Sequence, residues 1–178
     1  MQLNFLKKAA VLSLGLVSLV SCGDLSKVDY ATFKSKAQEA LKTEATYTSA
    51  KATYTSKSSD ANESYNYEFT VSGRALVAKD TSGVAFAAVA NSYSLATITS
   101  ADSIDSSLIT FYAGSGFKYE ITVESNITLL GHSSSSKTVT TVEYDGSGYI
   151  TSYTSTTDTS ADSTSTHSEV SAKISYSK

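Results

Sequence analysis

Proline and tryptophan are missing from this 178-residue chain, cysteine occurs once, and histidine occurs twice. The lone cysteine, Cys22, has no partner for an internal disulfide, so no disulfide framework is available to the fold. The two histidines, His132 and His167, lack metal-ligating neighbours at a useful spacing, and a zinc site takes three or four N, S or O ligands. His132 reads as a loop residue and His167 as a residue near the start of the last strand. Excess positive charge is also lacking: the whole chain carries −3 at pH 7. Such a balance gives no electrostatic footprint for nucleic acid or anionic headgroups. Among the many serines there is no Gly-x-Ser-x-Gly elbow, so a hydrolase triad has no specific support. Gly114-Ser115-Gly116 and Gly146-Ser147-Gly148 are too short for a phosphate loop, and hairpin turns explain them. Asp102, Asp105, Asp158 and Asp162 do not follow the register of a calcium loop. A non-catalytic protein without metal or cofactor is expected, and oligomeric state is left open.

The first eight residues carry Lys7 and Lys8 and no acid, and the stretch from Ala9 to Val20 is interrupted only by Ser13, Gly15 and Ser18. A charged head followed by a short apolar run is the pattern of an export signal. Twelve residues of helix span about 18 Å, short of a bilayer core near 30 Å, so a permanent span is the weaker reading. The run ends in Leu19-Val20-Ser21-Cys22, which resembles the lipobox of bacterial lipoproteins. That resemblance implies cleavage between Ser21 and Cys22, a lipid on the Cys22 thiol, and attachment to the extracytoplasmic side of a membrane. Two or three acyl chains anchor stably where one does not. Residues 1–21 are then the signal, 22–28 a lipidated tether, and 29–178 a single domain. Losing the two signal lysines takes the net charge of the remaining 157 residues to −5.

Serine and threonine make up roughly a third of those residues, a bias that suits a disordered stalk. Against disorder stand 12 tyrosines and 5 phenylalanines at regular positions beyond the signal. Asp29 is placed to cap a helix over 30–42, in which Tyr30, Phe33, Ala37, Ala40 and Leu41 share one face. Beyond Thr43 the period becomes two. Tyr65, Tyr67, Phe69 and Val71 alternate with polar residues, as do Phe117, Tyr119, Ile121 and Val123, with the same parity running on to Leu129. Val170, Ala172, Ile174 and Tyr176 repeat the pattern. Each is a strand with one dry and one wet face. Gly-containing turns at 113–116 and 145–148 join strands as hairpins, a turn near 60–62 joins 46–57 to 64–72, and Thr159 to Thr164 read as a polar connection. The segment 74–101 is open between helix and strand, with the run Val84 to Ala90 leaning to helix.

An amphipathic helix followed by one-sided strands predicts an α+β domain: the helix packed on a curved, mostly antiparallel sheet, an open half-barrel. The order of lipobox, helix and aromatic-faced strands is similar to the LolA/LppX-type half-barrel lipoproteins, a likeness that implies a concave face holding lipid. Tyr65, Tyr67, Phe69, Phe117 and Tyr119 are the candidate lining of such a concavity, and equally the ordinary core between sheet and helix. Two expectations follow: carriage of a lipid or other hydrophobic ligand, with an apolar cavity between sheet and helix, or a structural, protein-binding or glycan-binding surface module with a filled core and no cavity larger than a few waters.

Overall fold

The computed structural model describes residues 24–105, 107–129, 132–162 and 164–178. The signal and lipobox positions, Ser21 and Cys22 included, lie outside the described residues. Nine strands form a single sheet: β1 (Ser26–Val28), β2 (Ser49–Lys57), β3 (Asn62–Ser72), β4 (Ala75–Ala78), β5 (Ile109–Ala113), β6 (Phe117–Leu129), β7 (His132–Tyr144), β8 (Ile150–Ala161) and β9 (Thr164–Ser177). Their order is β1-β5-β6-β7-β8-β9-β2-β3-β4, every neighbouring pair is antiparallel, and the two edges do not meet. Three helices accompany it: α1 (Tyr30–Leu41), α2 (Val84–Ser92) and α3 (Leu95–Ser100). Strands take 55% of the described residues and helices 20%, so the class is mostly β rather than the expected α+β. The difference arises where the sequence shows no clean alternation. Ser133 to Ser136 belong to β7, Thr159 to Ala161 finish β8, and β9 begins at Thr164. Central strands impose their geometry on serine through hydrogen bonding, whatever its own β preference.

The tether is also shorter than expected, because Ser26–Val28 pairs with β5 through Lys27↔Tyr112. Gly114 makes room for this. A Cβ there would sit 1.9 Å from the Asp24 carbonyl oxygen, so only glycine lets the incoming backbone lie so close.

One face of the sheet is dry by register. Tyr119, Val142, Tyr153, Ala172, Tyr54 and Tyr65 are successive cross-strand partners from β6 to β3. The helices cover this face. The Asp29 carboxylate caps α1 by accepting from the Thr32 amide at 2.7 Å, which also holds its pKa below the usual value. On α1, Phe33 is fully buried with its ring 4.8 Å from Phe111 and 5.8 Å from Phe117. Tyr30 ties α1 to the end of α3, donating to the Ile98 and Ala101 carbonyls at 3.0 and 2.9 Å. On α2, Phe86 stacks on Tyr67 and Phe69 at 5.4 and 5.5 Å.

The sheet outgrows its helices. β5 pairs with β6 only as far as Ile121, and β2 pairs with β9 only as far as Glu169. Beyond those residues β6 to β9 continue as a four-stranded wing. Val123 and Ile127 belong to the parity of the dry face, yet in the wing they are 49% and 62% exposed. Among the described residues no helix or second layer covers them. Among the described residues no helix is long and apolar enough to cross a membrane.

Candidate functional site

The five aromatic candidates divide into two groups. Phe117 and Tyr119 lie on β6, Tyr65, Tyr67 and Phe69 on β3, and four strands stand between them. Measured along the sheet at about 4.8 Å per strand the groups are some 24 Å apart, and Phe69, Phe117 and Tyr119 belong to one continuous buried core. Phe117 and Tyr119 are buried under α1, with Tyr119 against Phe111 and Tyr144. Phe69 is fully buried beneath Phe86. Tyr67 is half-buried at the margin of that cluster, and Tyr65 stands at the rim, 45% exposed. The Tyr65 hydroxyl donates to the Glu63 carboxylate at 2.7 Å, and that bond raises its pKa.

Polar handles within the core are turned inward. The Tyr144 hydroxyl donates to the Tyr93 carbonyl, and burial pushes the pKa of both Tyr119 and Tyr144 far above the ordinary tyrosine value.

Two concavities flank this core. The smaller, about 320 Å³, lies between Leu41, Leu95, Gly148 and Ile150, with Arg74 at its wall. Gly148 adopts φ +84° in the turn between β7 and β8, and a side chain there would press on Leu95 and Leu41 at 3.1 and 3.2 Å. Arg74 is the only arginine in the chain. Its guanidinium donates to the carbonyls of Ser147 and Thr43 at 2.7 Å and lies 5.5 Å from the Tyr149 ring. It therefore ties the end of α1 to the β7–β8 turn, with its best donors already engaged.

The larger concavity, about 510 Å³, lies on the wet side of the wing. Its floor is the cross-strand row Glu124, Lys137, Asp158 and His167, followed by Asn126, Ser135, Ser160 and Ser165. Along the first row Lys137 stands between the carboxylates of Glu124 and Asp158. The Lys137 ammonium is 2.9 Å from Glu124, and His167 Nδ1 is 2.6 Å from Asp158. A second histidine pair, His132 Nδ1 with Asp162 at 2.9 Å, links the first residue of β7 to the residue after β8. His132 is thus the first residue of β7 rather than a loop residue. Neither pair forms a motif in the sequence. His132 and Asp162 are 30 residues apart, while Asp158 and His167 become neighbours only once the β8–β9 register is fixed. That hairpin register is the one signal able to find the second pair.

The chemistry available on the wing is hydrogen bonding and weak ion pairing in open solvent. Among the described residues no serine is hydrogen-bonded to either imidazole, and no group of three His, Cys, Asp or Glu side chains is placed to hold a metal ion. No protein-family model matches the chain, and no curated protein matches it significantly.

Proposed function

We propose that this chain is a lipid-anchored protein of the bacterial cell envelope, cut before Cys22, whose exported domain is a non-catalytic surface module with a filled core. The observation that carries this reading is the ring packing under α1 and α2. Phe33 sits against Phe111 and Phe117, and Phe86 against Tyr67 and Phe69, in the space that a carried lipid would need. In this reading the open sheet is a half-barrel plugged by its own helices. Carriage of a hydrophobic ligand is the competing reading; the concavity of about 320 Å³ between Leu41, Leu95, Gly148 and Ile150 speaks for it, and seating a lipid beneath α1 and α2 would require those rings to move apart.

The lipid-bearing residue would lie two residues before Asp24, which packs on Gly114 at the sheet. Two residues reach about 7 Å, so the edge at β1 would be held against the bilayer. Gly23 follows the anchor, so an aspartate inner-membrane retention signal is lacking at that position; in a host with two membranes the outer one is favoured. The wing's row Glu124, Lys137, Asp158 and His167 is then the face offered to a polar partner, protein or glycan.

The anchor is tested by growing a bacterial host with an alkyne analogue of palmitate. The wild-type chain is expected to take up label and to sediment with membranes, and Cys22→Ala to lose both properties. A wild-type chain that remains unlabelled overturns the assignment.

A further inference from the structure

Among the described residues the long outer edge of β6 has no strand partner beyond Ile121. From there it runs to Leu129, whereas the two formal edges of the sheet, β1 and β4, are three and four residues long. Its phase is fixed by one bond: the Thr122 amide donates to the Leu108 carbonyl at 2.9 Å, so Thr122 points its backbone outward. By the two-residue repeat Glu124, Asn126 and Thr128 do the same, and they present a row of unpaired N–H and C=O groups. Natural proteins blunt such an edge with charged side chains, lysine above all, with proline, a bulge or shortness; the one charge on this edge, Glu124, is paired with Lys137 at 2.9 Å. Residues 122–129 contain neither lysine nor proline, and the β6–β7 register runs one to one without a bulge.

We propose that two copies of this chain join through this edge, β6 against β6, antiparallel about a two-fold axis. The outward phase allows registers centred on Ser125 or on Asn126. The first sets Val123 of each copy opposite Ile127 of the other, and the second sets Ile127 opposite Ser125. In both, Glu124 faces a neutral residue, Asn126 or Thr128, so no like charges meet across the axis. Val123 and Ile127, exposed by 49% and 62% in one copy, then share the dry-parity side of the joint sheet. The opposite edge of the wing, Thr164 to Ser168 of β9, has the same freedom but only polar side chains, and it supplies no apolar pair. A β6-to-β9 contact would not close and would build chains of molecules.

The test is sedimentation equilibrium of the full-length protein in density-matched detergent micelles, comparing wild type with Ile127→Lys and Val123→Lys. Each replacement is at an exposed site, and circular dichroism checks that the fold is kept. The expected result is a discrete dimer for wild type, with the dissociation constant raised about tenfold or more by either lysine, the residue nature uses to block edges. Ser165→Lys on β9 is expected to leave the dimer unchanged. A monomeric wild type at about 100 μM, a dimer indifferent to both β6 lysines, or an open-ended polymer sensitive to Ser165→Lys each overturns the proposal.

Discussion

The side-chain amide of Asn91 makes both hydrogen bonds that a neighbouring strand would make to Leu76: its Oδ1 accepts from the Leu76 amide and its Nδ2 donates to the Leu76 carbonyl, each at 2.9 Å. Leu76 lies on β4, the outermost strand, with its side chain buried. One residue of α2 thus closes a sheet edge that would otherwise lie open. Asn91→Ala strands two backbone groups, one of the costlier changes in a small domain, and is expected to remove about 1–3 kcal/mol of stability. Asn91→Asp keeps the acceptor but sets a carboxylate oxygen against the Leu76 carbonyl, so at neutral pH it should be no milder. Urea denaturation gives the magnitude, and amide exchange at Leu76 gives the location.

Phe33 is where helix and sheet meet most tightly, fully buried between Phe111 and Phe117. Phe33→Ala is expected to cost about 3–5 kcal/mol, a large part of what a domain of this size has, while Phe33→Leu should cost clearly less. Equal losses for the two would mean that α1 packs loosely.

Gly114 and Gly73 offer a matched comparison. Gly73 has φ +61° but nothing within 4 Å of where a methyl group would sit, whereas at Gly114 the Asp24 carbonyl is 1.9 Å away. Gly73→Ala should cost roughly 1 kcal/mol from backbone conformation alone. Gly114→Ala must displace β1 from β5 and is expected to cost more and to open residues 24–28 to limited proteolysis.

Alkaline pH should unfold the domain through its buried tyrosines. Burial raises the pKa of Tyr119, Tyr144 and Tyr176 above the unfolded value of 10. The folded state holds these protons more tightly than the unfolded one. Their stabilising contribution is therefore complete below about pH 10 and lost as pH climbs from there toward the folded values. An absorbance titration near 295 nm should show the exposed tyrosines ionising first and these three only with loss of structure. Tyr144→Phe should shift that unfolding to higher pH, at the expense of the bond to the Tyr93 carbonyl.

Local physics makes part of the fold legible from sequence. The α1 face repeats at helical spacing from Tyr30 to Leu41, and the glycines at 114, 116, 146 and 148 mark real hairpin turns. The seam between β2 and β9 is not legible, because Ser49 meets Ser177 across 128 residues and no local pattern reports so distant a partner. Ser133 to Ser136 likewise carry no alternation to announce a strand. Alternation identifies the aromatic stripe as dry, yet it cannot say whether rings face a ligand or one another. Phe69, Phe117 and Tyr119 face their neighbours, and only Tyr65 keeps a largely wet surface.

The most direct test of the filled core is native mass spectrometry of the full-length protein, gently extracted from a bacterial membrane. The account predicts one species, whose mass equals the chain from Cys22 onward plus its covalent lipid, under several extraction conditions. A reproducible second species heavier by a non-covalently held lipid would contradict it and return the space beneath α1 and α2 to a ligand.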